Sequence, residues 1–391
     1  FFQEVEKDEW GIVRSCKMPK ILHDHAILVA GVVSCASNPN GDNLNDRVRH
    51  VSFDFNLDSS QQFVRRLLKA KRIQTFLLPS QSWLRHEEKF SKSTCRAIFS
   101  RCKCLRVLDL HDSGIKVVPS SLCKLKHLRY LDLSKNGIKK LPSSITSLLN
   151  LQTLKLSNCD VLKELPMDIK NLVRLRHLEI DGCDKLAQMP RGLGKLTSLQ
   201  TLSLFVLRNQ SFCRQSGKLN ELKRLNNLSR GLEILHLEQL SDASTETKNA
   251  NLKEKQSLRA LTLRWYRQDD ADVDVESDEK SLEGLQPHRN LKTLWVIGYG
   301  GMKFPSWISS LVYLVKFTLC NCLKFQHLPP LDQLSFLKSL KLQRLHALEY
   351  VTDIGKKDKF SSSAVSITFF PSLKELVLWD CPNLKGWWRD V

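Results

Sequence analysis

Closely spaced cysteines, histidines and carboxylates are the raw material of metal and nucleophile chemistry, and this chain of 391 residues holds several groupings of them. Cys102-x-Cys104 and Cys320-x-Cys322 each pair two thiols across one residue. A zinc site needs a two-residue spacer and a second pair, so both are assigned to packing. In His23-Asp24-His25 the imidazoles stand two positions apart, which on a helix aims them at different faces. Asp270, Asp272 and Asp274 begin with the spacing of a calcium loop, but Val275 stands where that loop turns on glycine and Ser281 where it closes on glutamate. There is no G-x-S-x-G nucleophile elbow, no H-E-x-x-H zinc helix and no G-x-x-x-x-G-K-[ST] phosphate loop. These absences predict no catalytic residue, no metal and no bound cofactor in this chain, and therefore no enzyme. What remains is recognition through charge and aromatic surface.

Charge is unevenly spread. Of the net +19, residues 101–230 carry +14, whereas residues 231–300 are acidic overall. A basic block first suggests nucleic acid. Without zinc-finger spacing, an RNA-recognition aromatic motif or a basic helix, it fits an acidic protein surface better, and Arg106, Arg129, Lys155 and Arg176 are the candidate contacts. Six of the eight tryptophans follow residue 260. Trp265, Trp295, Tyr299 and Trp379 are the candidate ligand-reading aromatics, while Trp307, Trp387 and Trp388 are assigned to packing.

The elements that must position these residues are visible in the leucines. L-x-x-L-x-L begins at Leu105, Leu128, Leu151, Leu175 and Leu199, then at Leu232, Leu258, Leu291, Leu314, Leu337 and Leu373. Looser versions start at Val48 and Ile73, which makes thirteen candidate units. Intervals of 23 and 24 are those of a leucine-rich repeat. In each unit the fourth and sixth residues share the buried face of a short strand, and their neighbours face a groove. Three residues past the sixth position stand Ser113, Asn136, Cys159, Cys183, Cys322 and Cys381, the buried small or polar position. Leu-Pro phrases at Leu141-Pro142, Leu165-Pro166 and Met189-Pro190 open a helical return on the convex side. The fold class expected is α/β, a leucine-rich-repeat solenoid whose stacked strands form a concave arc on the order of 60 Å long.

Between these units, the acidic stretch 267–280 and the serine-containing stretch 354–366 read as inserted loops, the first solvated and the second flexible. The apolar run Ala26 to Ala36 is about half the length of a membrane span and reads as a buried helix. Twelve cysteines in a chain this long do not make a secreted disulfide scaffold, so a reducing compartment is expected. The first residue is Phe1, and sequence upstream of it is expected.

Several phrases, taken together, resemble one family. They are Phe1-Phe2-Gln3-Glu4-Val5 with Cys16-Lys17-Met18 and His23-Asp24, Arg72-Ile73-Gln74-Thr75-Phe76-Leu77-Leu78-Pro79, Ser157-Asn158-Cys159 and Glu221-Leu222-Lys223-Arg224-Leu225-Asn226-Asn227-Leu228, followed by Phe304-Pro305-Ser306-Trp307 and Cys381-Pro382-Asn383-Leu384. Nearly end to end, the chain resembles the coiled-coil class of plant nucleotide-binding leucine-rich-repeat (NLR) disease-resistance proteins, intracellular immune receptors. That resemblance implies a winged-helix remnant over residues 1–46, repeats over 47–391, and ADP or ATP held only by a nucleotide-binding domain upstream. It implies a cytoplasmic protein whose partners are that domain and a pathogen effector or a guarded host protein. One departure stands out: Met18-Pro19-Lys20 replaces the family's nucleotide-sensing Met-His-Asp, removing a donor and reversing a charge. The other reading of a repeat protein is an adaptor or scaffold, such as a ubiquitin-ligase substrate receptor.

Overall fold

Each leucine phrase becomes a short strand because the apolar residues at its fourth and sixth positions leave only one face to bury. The computed structural model describes residues 3–7, 13–30, 34–37, 47–53, 72–78, 92–208, 216–266, 274–326, 328, 331, 334–352 and 370–388. The chain forms two units, Phe1–Leu186 and Ala187–Val391.

In the first unit an antiparallel pair, β1 (Gln3–Lys7) and β2 (Val13–Lys17), leads into helix α1 (Lys20–Ala30). A parallel sheet then runs through β3 (Ser34–Ser37), β4 (His50–Phe53) and β5 (Thr75–Leu77). After helix α2 (Lys92–Arg101) it continues through β6 (Val107–Asp109), β7 (Tyr130–Asp132), β8 (Thr153–Lys155) and β9 (His177–Glu179). Two expectations change. The sheet already includes Ser34–Ser37, inside the segment 1–46, because Cys35 and Ala36 pair with Val51 and Ser52. The run Ala26 to Ala36 is not one buried helix: it is shared between α1 and β3, and Val29 of α1 is 76% exposed.

Leu108, Leu131, Leu154 and Leu178 are direct neighbours across β6 to β9, and all are fully buried. Burying such a side chain stabilises the fold by roughly 1.5–3 kcal/mol, so the stack of neighbours, not any single repeat, holds the sheet. Behind it, Pro119, Pro142 and Pro166 each precede a 3-10 turn, Ser120–Lys124, Ser143–Ser147 and Met167–Asn171, whose Leu122, Ile145 and Ile169 close the core. Proline's fixed φ and missing N–H suit the mouth of a turn. At the small position, Asn136 accepts the N–H groups of Ser113 and Ile115 at 3.1 and 2.8 Å and donates to the carbonyls of Leu110 and Leu133, both at 2.9 Å. Cys159 and Cys183 replace it with a thiol that donates to the Leu133 and Leu156 carbonyls, respectively. Cys381 is only half-buried.

The second unit begins with β10 (Thr201–Leu202) and β11 (Leu204–Val206). Before them, the phrase Met189-Pro190 departs from the other prolines: the turn starts only at Leu193, after Gly192 at φ 89°. Glu221 accepts the N–H groups of Gly192 and Gly194 at 2.7 and 2.8 Å. The parallel sheet proceeds from β11 through β12 (Arg230–Leu235), β13 (Leu258–Arg264), β14 (Thr293–Ile297), β15 (Lys316–Cys320), β16 (Ser339–Gln343) and β18 (Glu375–Trp379), while β17 (Tyr350–Thr352) pairs with β19 (Gly386–Trp388). The unit expected at Leu232 is framed differently. Leu232 and Ile234 pair with Leu261 and Leu263, so they are its fourth and sixth positions and its first leucine is Leu228. The register shifts between Arg230, φ 63°, and Gly231, whose partners Leu258 and Ala260 leave Arg259 of β13 without an opposite residue.

The acidic insertion is also corrected. Residues 275–280 of the expected loop 267–280 lie in helix α4 (Val275–Gly284), which packs against α3 (Ala243–Ala250). Asp274 caps α4 by accepting the Ser277 N–H at 3.0 Å. Asp278, buried, accepts the N–H of Gly300 at 2.8 Å, and Glu279 those of Met302 and Lys303 at 3.0 and 3.2 Å. The acids therefore supply acceptors to a turn of the following repeat. The stretch 354–366 lies outside the described residues.

Candidate functional site

The second residue of each leucine phrase sits at the entry to its strand, outside the core, and successive units bring these residues into one column. In the first unit, Arg106 N–H donates to the Gln74 carbonyl, Arg129 to Arg106, Gln152 to Arg129 and Arg176 to Gln152, each at 2.7–2.8 Å. Arg106, Arg129 and Arg176 are all exposed and lie on this single edge, about one strand spacing apart except where Gln152 intervenes.

Lys155 belongs elsewhere. It stands in the groove row with Asp109, Asp132 and Glu179, and its ammonium lies 3.0 Å from Glu179. This row is acidic: Tyr130 hydroxyl donates to Asp132 at 3.1 Å, and His111 Nδ1 lies 2.7 Å from Asp109. That hydrogen bond, with the negative charges of Asp109, Asp132 and Asp112, holds the His111 pKa above its ordinary value against a smaller opposing effect of burial. The basic block is thus not uniform, since an arginine edge borders an acidic groove row.

In the second unit the groove row reads Glu233, Thr262, Trp295, Thr318, Lys341 and Val377 from β12 to β18. Trp295 is 43% exposed. Trp379, two positions further along its strand, is 53% exposed, with the Arg344 guanidinium 5.1 Å from its ring centre. Both point where their strand positions predict.

Trp265 and Tyr299 do not: they are 3% and 0% exposed. Their rings meet edge to face at 5.4 Å, and Tyr299 stacks on toward Phe304 at 5.5 Å. Tyr299 occupies the small buried position, three residues past Val296, and its hydroxyl donates to the Lys303 carbonyl at 2.6 Å, doing for its turn what Asn136 does. Tyr266, next to Trp265 in sequence, is the aromatic left outside, 44% exposed and tilted against His236 at 4.6 Å. Also unforeseen are Tyr313 and Phe336, 40% and 51% exposed in the turns before β15 and β16. A signal existed, since each lies one residue before the first leucine of its phrase, where Asn150 and Asn227 stand elsewhere. Trp307 is buried and donates to the Leu282 carbonyl at 3.2 Å.

At the other end of the chain, Met18 is exposed, Pro19 precedes α1 and accepts the His23 N–H at 2.9 Å, and Lys20 is the first helical residue, exposed. His23 and Asp24 fall on the helix, as the sequence suggested.

Among the described residues there is no cluster of three or more metal-binding side chains, and no helix is long and apolar enough to cross a membrane. A family model described as "Leucine-rich repeat region" matches residues 84–387. The chain is similar to RGA4 of Solanum bulbocastanum, 40% identical over 199 residues, half of this chain and 19% of that protein. It is 39% identical over 194 residues to disease resistance protein RGA2 of the same plant, and 30% identical over 209 residues to an RPP13-like disease resistance protein of Arabidopsis thaliana, covering 49% and 44% of this chain. The chain thus spans about a fifth of the length of these relatives, 19% in each case. A leucine-rich-repeat protein of Leptospira interrogans superposes with a TM-score of 0.43 at 18% identity, over 88% of this chain and 86% of that one. From the matched repeats and these relatives, the chain belongs to the leucine-rich-repeat family, and its kin in sequence are plant disease resistance proteins.

Proposed function

We propose that this chain is the ligand-sensing and autoinhibitory repeat region of an intracellular plant immune receptor, working by protein recognition and without catalysis. The observation that carries the reading is the single exposed column of Arg106, Arg129 and Arg176 in a chain whose relatives are disease resistance proteins. A fixed row of guanidiniums suits an acidic face on a nucleotide-binding domain of the same receptor, which would hold the ADP or ATP. Trp295 and Trp379 form the separate, ligand-reading face, toward a pathogen effector or a guarded host protein. On this reading residues 1–46 belong in part to a winged-helix domain, the altered Met18-Pro19-Lys20 changes nucleotide sensing there, and the protein works in the cytoplasm.

The ligand face is tested in leaves by replacing Trp295 and Trp379 with alanine in the full receptor. The expected outcome is loss of the ligand-triggered response with unchanged protein abundance and melting temperature. A retained response would remove both tryptophans from the recognition surface, and a lowered melting temperature would assign them to packing.

A further inference from the structure

We propose that the strand-entry edge of the second unit, Arg259, Lys292, Lys338 and Lys374 together with Tyr313 and Phe336, docks an extended acidic polypeptide that carries apolar side chains between its carboxylates. This surface uses none of the residues assigned to the tryptophan face and does not depend on the function proposed for it. The column is built like the arginine edge of the first unit: Lys292 N–H donates to the Arg259 carbonyl, Val315 to Lys292, Lys338 to Val315 and Lys374 to Lys338, each at 2.8 Å. The four residues are thereby set in line by backbone, their α-carbons about 5 Å apart on neighbouring strands and about 10 Å apart across Val315. Two to three residues of an extended peptide cover such a gap, so carboxylates at that spacing can meet successive cations.

Among the described residues none of these four cations is in an ion pair. The Lys292 ammonium is held below its ordinary pKa by partial burial and by the like charge of Arg259, a crowding that an incoming carboxylate relieves. Beside the column the turns present Val312, Tyr313 and Phe336, all more than a third exposed, with the two rings 5.8 Å apart. Exposed aromatics next to cations that make no ion pair among the described residues favour a partner that is both acidic and apolar. A nucleic acid fits less well. Base stacking needs an open ring face, whereas Tyr313 lies 4.8 Å from the Lys292 ammonium and is tilted 35° against Phe336. Aliphatic side chains need only the ring edges.

The test uses the whole chain and a short fluorescein-labelled peptide alternating glutamate with leucine and phenylalanine, read by anisotropy. The expected result is saturable, salt-sensitive binding that weakens roughly tenfold or more when glutamine replaces the peptide's glutamates. The variants Lys292→Glu/Lys338→Glu/Lys374→Glu and Tyr313→Ser/Phe336→Ser should each weaken it by roughly tenfold as well. The control Lys139→Glu/Lys163→Glu, elsewhere on the basic first unit, should leave affinity unchanged. If the charge reversal lowers the melting temperature, the triple lysine-to-glutamine variant gives the same reading with a smaller perturbation. Equal affinity in the edge variants and the parent, an equal loss in the control, or stronger binding to oligothymidine or to anionic phosphatidylserine vesicles would overturn the proposal.

Discussion

Lys255 is fully buried at the position, three residues before the first leucine of a phrase, where other repeats place Leu196, Leu225 and Leu311. Its ammonium donates to the Leu222 carbonyl at 2.7 Å and reaches Asn226 at 3.4 Å. Burial outweighs the attraction of the Glu254 carboxylate and pulls its pKa from 10.5 down to about 8. Between those two values the unfolded chain holds the proton that the native chain has released, so stability rises with pH over that window. Below it the native fold carries a buried charge at a cost. Lys255→Leu, which restores the repeat's own residue, is predicted to stabilise the protein by about 1–3 kcal/mol at neutral pH and to flatten the rise between pH 8 and 10. Urea melts across that range measure both effects; a variant less stable at pH 7 with the slope intact would contradict it. At this scale the repeat frame was informative at Asn136 and Tyr299 but not at Tyr266, which the same count from Leu263 puts at the buried position and which is 44% exposed. Asn136 was legible as a buried turn acceptor, and the same count applied to Tyr299 would have placed it inside. Trp265 was not legible: which of two adjacent aromatics at a strand end turns inward depends on Tyr299, from the next repeat.

Among elements, α4 shows how composition misleads. Its acids and serines have the hydropathy of a solvated loop, yet Asp274 and Asp278 are fixed by backbone donors, which short-range pattern reading does not see. At Gly284 a side chain would collide with the Thr247 hydroxyl of α3, so the two helices meet too closely for a Cβ. Asp278→Ala is predicted to cost about 1–3 kcal/mol, because it strands the buried Gly300 N–H, while Glu279→Ala, whose partners Met302 and Lys303 lie on an exposed turn, should cost less. Hydrogen exchange should localise the first loss to residues 298–303. Protection there equal to that of the parent protein would remove the clamp. The leucine strands themselves were legible because spacing alone sets them, and the misplaced start, Leu232 for Leu228, came from a register shift at Arg230–Gly231 that changes the spacing within the phrase.

For the whole molecule, net charge was a poor guide and its placement a good one. The excess of basic residues over 101–230 suggested one basic face, but folding sends Arg106, Arg129 and Arg176 to an edge and leaves Lys155 among Asp109, Asp132 and Glu179. Sequence adjacency cannot show this, because residues two and five of a phrase lie on different parts of the strand surface. The tryptophan face fared better at Trp295, exposed between buried Leu294 and Val296, whereas on β18 both Trp379 and the core-assigned Leu378 are exposed. The central claim, an arginine edge that holds an acidic nucleotide-binding domain, is tested most directly by the affinity of this chain for the nucleotide-binding core of an RGA-type relative. Calorimetry should show Arg106→Glu/Arg129→Glu/Arg176→Glu weakening the complex roughly tenfold or more, with a shallower salt dependence, while Lys155→Glu has a smaller effect because that lysine is already paired. Unchanged affinity in the triple variant, or a larger loss from Lys155→Glu alone, would contradict the account.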